Sequence, residues 1–194
     1  KMATLYENYI TGDDGVAAIW GVYWETQTFT PISAHTITSV KLLLLRLGSP
    51  GTLTVSIRAT DANGKPTGSD LASGTTDGNT LTTTSTGEWR EITLGLGTVL
   101  SASTKYSIVA RALTGTVLNA VHWRIDETSP TYTGGELFYS TDSGATWVTT
   151  NYDAMFEEYG AGGEGAGIIA IVQTRFHYVD AYGVERFIEG TVVV

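Results

Sequence analysis

Apolar and polar residues alternate with a period of two through most of this chain, while helical spacing is nearly absent. In 52–59, Leu53, Val55, Ile57 and Ala59 share one face, and Thr54, Ser56 and Arg58 take the other. In 105–112, Tyr106, Ile108, Ala110 and Ala112 alternate with Lys105, Ser107, Val109 and Arg111. Trp123 and Ile125 likewise oppose His122, Arg124 and Asp126. Such segments are half-buried antiparallel strands, because successive side chains of a strand point to opposite faces. Asn63-Gly64 before Pro66, Asp77-Gly78, and Gly48-Ser49-Pro50-Gly51 supply the turns between them. Further strands are expected at 24–30, 38–47, 70–76, 88–94, 136–140, 146–149 and 153–158. Many short strands at near-regular spacing predict an all-β fold: a two-sheet antiparallel β-sandwich of jelly-roll type.

The alternation also divides the chain. Residues 1–23 read as an N-terminal arm and 24–160 as the sandwich. The composition then shifts at Gly160, and 161–167 read as a glycine-rich linker. Residues 168–194 read as a C-terminal β-hairpin, with strands over 168–179 and 184–194 joined by Asp180-Ala181-Tyr182-Gly183. This hairpin is apolar on both faces by its alternation. Ile169, Ile171 and Val179 fall on one side, Val172, Phe176 and Tyr178 on the other, and Phe187 and Ile188 point opposite ways. A two-stranded hairpin with two apolar faces needs a cover, which is its own sandwich, another subunit or a larger assembly. Phe176, Tyr178, Phe187 and Ile188 are the expected assembly residues, and a symmetric homo-oligomer is expected, a trimer first.

Several function classes are disfavoured. There is no cysteine, which removes disulfides, thiolate metal sites and a cysteine nucleophile. Eleven Lys and Arg against twenty Asp and Glu give a net charge of -9, and the basic residues are scattered singly. No patch is available to neutralise phosphates, so neither nucleic acid nor an anionic membrane surface is an expected partner. The longest apolar run, Leu42–Leu45, is too short to span a bilayer. The segment after Met2 lacks the basic and apolar regions of a signal peptide, and Met2 reads as a natural start.

Ser140-Thr141-Asp142-Ser143-Gly144-Ala145-Thr146-Trp147 fits the pattern S-x-D-x-G-x-T-W. It resembles the Asp-box of sialidase-type propellers and other secreted β-proteins, where the motif is structural. Asp142 is suited to accept backbone N–H groups within the turn, Gly144 gives a permissive backbone, and Trp147 packs under the hairpin. A propeller needs several copies and the chain has one. A wider resemblance runs over 24–160. It is carried by Gln27-Thr28-Phe29-Thr30, Ser39-Val40-Lys41-Leu42, Thr54-Val55-Ser56-Ile57-Arg58, Gly87-Glu88-Trp89-Arg90-Glu91-Ile92, Lys105-Tyr106-Ser107-Ile108-Val109 and Ala154-Met155-Phe156-Glu157-Glu158-Tyr159-Gly160. Together these segments resemble the jelly-roll modules, similar to carbohydrate-binding modules, of phage or virus structural proteins and microbial surface proteins. The resemblance implies a surface or virion role and fixes no ligand.

A glycan site is the sharpest expectation, because sugars are held by aromatic faces beside polar groups. Trp123, Arg124, Asp126, Tyr132 and Tyr139 are its candidates, together with Trp89, which opposes Ile92 and Leu94 on a regular strand. The competing reading puts Trp123 and Trp147 in the core. No metal site is expected. Asp61-Ala62-Asn63-Gly64 opens like a calcium loop, but its twelfth position is Ala72, and only a structural calcium on loop carboxylates such as Asp13, Asp14 or Asp153 stays open. His35, His122 and His177 have no metal-ligand spacing, no G-x-S-x-G elbow occurs, and a carboxylate pair such as Glu91 with Glu157 has no distinguishing feature. No cofactor and no catalysis are expected. The sequence thus points to a non-enzymatic virion structural protein, a capsid decoration, head-fibre or tail-associated subunit that meets other virion subunits. The alternative is an extracellular or cell-surface carbohydrate-binding module.

Overall fold

The computed structural model describes residues 3–162, 172–179 and 184–192. The chain divides into two units, 1–162 and 163–194. In the first unit the alternating segments become β1 (Thr4–Tyr9), β2 (Gly15–Ile19), β3 (Trp24–Phe29), β4 (His35–Leu47), β5 (Thr52–Thr60), β6 (Pro66–Asp77) and β7 (Glu88–Leu100). They continue as β8 (Tyr106–Arg111), β9 (Ala120–Asp126), β10 (Leu137–Ser140), β11 (Val148–Thr149), β12 (Asp153–Ala154) and β13 (Phe156–Gly162). Among the described residues the only helical element is one 3-10 turn at Gly78–Thr80, and no helix is long and apolar enough to cross a membrane.

The strands form two antiparallel sheets. The first has the order β1-β13-β4-β9-β12, with β2 also on β9 and β7 also on β4; the second has the order β11-β10-β3-β8-β5-β6. The chain passes from one sheet to the other at β2–β3, β3–β4, β4–β5, β6–β7, β7–β8, β8–β9, β9–β10 and β11–β12, which is the winding of a jelly roll. Between the sheets lies the core, built around Phe29, Leu42, Leu44, Ile57, Trp123 and Phe156. A smaller cluster of Trp24, Val109, Phe138 and Trp147 covers the outer face of the second sheet. Its parity is opposite to that of Phe29, Ile108 and Leu137, which belong to the main core.

The two flanks of the sandwich differ. On one, β6 and β7 approach so closely that a Cβ on Gly74 would sit 1.9 Å from the Thr93 carbonyl oxygen. On the other, β2 faces β10 across a pocket of about 220 Å³. The segment 1–23, expected as an arm, supplies β1 and β2 to the first sheet: Tyr9 pairs with Phe156 and Ala17 with Trp123.

In the second unit, β14 (Val172–Val179) and β15 (Glu185–Val192) form a two-stranded antiparallel hairpin. Phe176 pairs with Ile188, His177 with Phe187, and Tyr178 with Arg186. The expected linker lies outside the described residues from 163 onward, as do the outer strand ends at 168–171 and 193–194 and the turn at 180–183.

Candidate functional site

Carboxyl groups are buried along the flank that carries β1 and β2. Asp126 ends β9 and is 2% exposed. Its Oδ2 accepts the Tyr9 hydroxyl at 2.6 Å, and its Oδ1 accepts the Ser129 N–H at 2.9 Å. The Tyr9 oxygen in turn accepts the Thr131 N–H at 3.1 Å, so β1 is fastened to the loop after β9. Next to it in β12, buried Asp153 accepts the Tyr132 N–H at 2.9 Å. Burial pushes the Asp153 carboxyl above its usual range, and the Tyr132 N–H offsets part of the shift. From the facing sheet, Gln27 Oε1 accepts the Ala154 N–H at 2.7 Å.

Farther along β1 lies a second buried group. His35 and Glu158 are both fully buried, with Nε2 and Oε1 2.8 Å apart. His35 Nδ1 lies 2.9 Å from the Ser33 carbonyl oxygen, which can only accept, so Nδ1 carries a hydrogen. The Nε2–Oε1 contact therefore holds one shared proton, on either the carboxyl or the ring. The Tyr6 ring stacks on His35 with centroids 3.7 Å apart. Burial pushes Glu158 up to about 7, partly offset by the His35 bond. Burial also raises Glu7, whose Oε2 accepts the Tyr132 hydroxyl at 3.3 Å. Glu7 Oε1 and Glu158 Oε2 are buried without a hydrogen-bond partner.

The pocket between β2 and β10 is the third feature. Its walls come from residues 16–18 of β2, from Ile125, and from Leu137 and Tyr139 of β10, with Thr150 and Tyr152 beyond. Glu25 lines it from β3 and is 8% exposed. Alternation along β3 explains its place. Trp24 joins the outer cluster, whereas Gln27 and Phe29 reach the space between the sheets, and Glu25 shares their parity. Burial alone pushes its carboxyl well above the usual range, and among the described residues no hydrogen bond or ion pair relieves it.

The residues expected to make a glycan site are not brought together. Trp123 is 0% exposed, with its Nε1–H donated to the Met155 carbonyl at 2.8 Å. Asp126 is consumed by Tyr9 and Ser129. Tyr132 is half-buried, tilted on Tyr9 and edge-on to Phe156. Arg124 is on the solvent side of β9, bonded to Asp13 Oδ1 at 2.5 Å. Tyr139 lines the flank pocket. Trp89, 40% exposed on β7, stands opposite Leu43. Residues close in sequence on a strand diverge to opposite faces, which is why 122–147 scatters instead of converging.

The Asp-box segment is a tight turn. Asp142 Oδ1 accepts the Thr146 N–H at 2.8 Å and Oδ2 accepts the Thr146 hydroxyl at 2.6 Å, which holds the carboxyl below its usual range. Gly144 has φ +81°, and a Cβ there would lie 2.8 Å from the Trp24 ring. Trp147 is buried in the outer cluster. Above Trp24, the Arg58 and Arg111 guanidinium carbons sit 5.8 and 5.4 Å from the ring centroid. Asp70 bonds both arginines, Arg58 Nε at 2.7 Å and Arg111 through Nη2. Burial opposes ionisation of Asp70, but the arginine bonds outweigh it and bring the group to about 2. This clamp was legible in part, since the Asn63-Gly64 turn brings Arg58 and Asp70 onto adjacent strands. Glu25, Glu158 and Glu7 left no such signal.

The carboxylates considered for calcium are engaged elsewhere: Asp13 with Arg124, Asp14 with the Glu127 N–H at 2.8 Å, and Asp153 with Tyr132. Among the described residues no group of three or more His, Asp or Glu is placed to hold a metal. Asp61 Oδ1 accepts the Asn63 and Lys65 N–H groups at 2.8 and 2.9 Å, which makes that segment a turn. Glu91 and Glu157 both pair with Lys41 from neighbouring strands. The chain matches no family model and no curated protein.

Proposed function

We propose that this protein is a non-enzymatic structural subunit of a phage or virus particle, in which a β-sandwich is displayed and a C-terminal hairpin joins it to its neighbours. The observation that carries this reading is the second unit itself, which is two strands and nothing more among the described residues. Two strands alone are marginal in water. The register sets Val172 against Val192 and Phe176 against Ile188, and such a hairpin gains stability by entering a larger sheet or packing on another copy. The virion assignment rests on the jelly-roll resemblance and the scarcity of charge. Light scattering coupled to size exclusion tests the assembly role. The full chain is expected to run as a stable oligomer, and a chain ending at Gly162 as a monomer; a monomeric full chain contradicts the proposal.

A carbohydrate-binding module is the second reading, and exposed Trp89 is the observation that favours it. Glycan-array binding that Trp89→Ala abolishes would support it, and binding indifferent to that change would remove it.

A further inference from the structure

The geometry points to a site for a small organic ammonium ion in the flank pocket between β2 and β10, with Glu25 as its counter-ion. The proposal stands apart from the assembly role. A carboxyl 8% exposed, without a hydrogen-bond or ion-pair partner among the described residues, is costly to keep unless something occupies the space it lines. The pocket holds about 220 Å³, room for a compact molecule.

The walls select the class. Val16, Ala17, Ile125 and Leu137 offer aliphatic surface, which suits a hydrocarbon body. Tyr139 and Tyr152 add aromatic rings, whose faces attract cations. A polyhydroxylated ligand is poorly served. The Thr150 hydroxyl already donates to the Leu137 carbonyl at 2.9 Å and accepts the Tyr152 N–H at 3.2 Å. Glu25 is the one acidic residue in the lining, which fits a single cationic head on an apolar body. A charge-assisted bond from an ammonium to a buried carboxylate is stronger than a neutral one, and the chain's net charge of -9 draws cations toward it. Because burial holds the Glu25 proton, binding releases that proton and tightens as pH rises.

The test is calorimetric titration of the full chain with phenethylamine, phenethyl alcohol and methyl glucoside. Saturable binding of the amine is expected, with at least about tenfold weaker binding of the alcohol and none of the glucoside. Glu25→Gln should weaken the amine by about tenfold or more and abolish proton release, read by repeating the titration in buffers of different ionisation enthalpy. Ala17→Leu, which fills the pocket and leaves Glu25 in place, should also abolish binding. Equal affinity for amine and alcohol, amine binding unchanged in Glu25→Gln, or no saturable amine binding at millimolar concentration overturns the proposal. If Glu25→Gln fails to fold, the amine–alcohol ratio and its pH dependence in the unaltered protein decide.

Discussion

Where β6 meets β7, the sandwich closes backbone on backbone, with glycine at the contact and Arg90 reaching Thr76 Oγ1 at 3.0 Å across it. Where β1 and β2 border the opposite flank, it holds Glu25, Asp126, Asp153 and Glu158 away from water, with Glu7 half-buried. One edge is closed by sterics, and its Asp70 on β6 is held ionised by Arg58 and Arg111. The other is held by carboxyl groups, several of which keep their protons longer than they would in water. The same fold thus carries a side closed by backbone contact and a side whose carboxyl groups are favoured in their protonated form, and the pocket lies on the second.

The largest expected effect separates the flanks by titration. Glu158 is raised from 4.5 to about 7 on folding, so the folded state binds the proton more tightly. The stability this supplies is fully present below pH 4.5 and is lost as pH rises through about 7. Glu7, Glu25 and Asp153 act in the same direction. Denaturant melts should show a loss of roughly 1–3 kcal/mol across that window, and Glu158→Gln should remove much of the slope. Gly74→Ala should cost about 1–3 kcal/mol by forcing β6 from β7, with no dependence on pH, as read by the same melts.

Asp70 titrates with the opposite sign, since its arginines depress it from 3.8 to about 2. Its contribution is present above pH 3.8 and lost as pH falls through about 2. Asp70→Asn should therefore cost about 1 kcal/mol at neutral pH and nothing in strong acid. Trp89→Ala should change stability least, within about 0.5 kcal/mol, because the ring is exposed on β7.

The strands were legible because alternation is local. Leu53, Val55 and Ile57 are all buried in the core, as their spacing implied. The Asp142 turn was legible for the same reason, with its partners within four residues. The titrating flank was not. Tyr9 and Asp126 are 117 positions apart and His35 and Glu158 are 123 apart, and no period or motif links such pairs. A polar residue at an inward position, as Glu25 is, reads like a break in the pattern. Residues 1–23 read as an arm, yet β1 and β2 are the strands that complete this flank.

Native-state hydrogen exchange resolved by residue and corrected for intrinsic rates tests the contrast between the flanks most directly. Between pH 5 and 7.5, amides of β1 and β13 should lose protection as the acid group deprotonates, while amides of β6 and β7 hold theirs. Equal loss in both pairs, or none in either, contradicts the account.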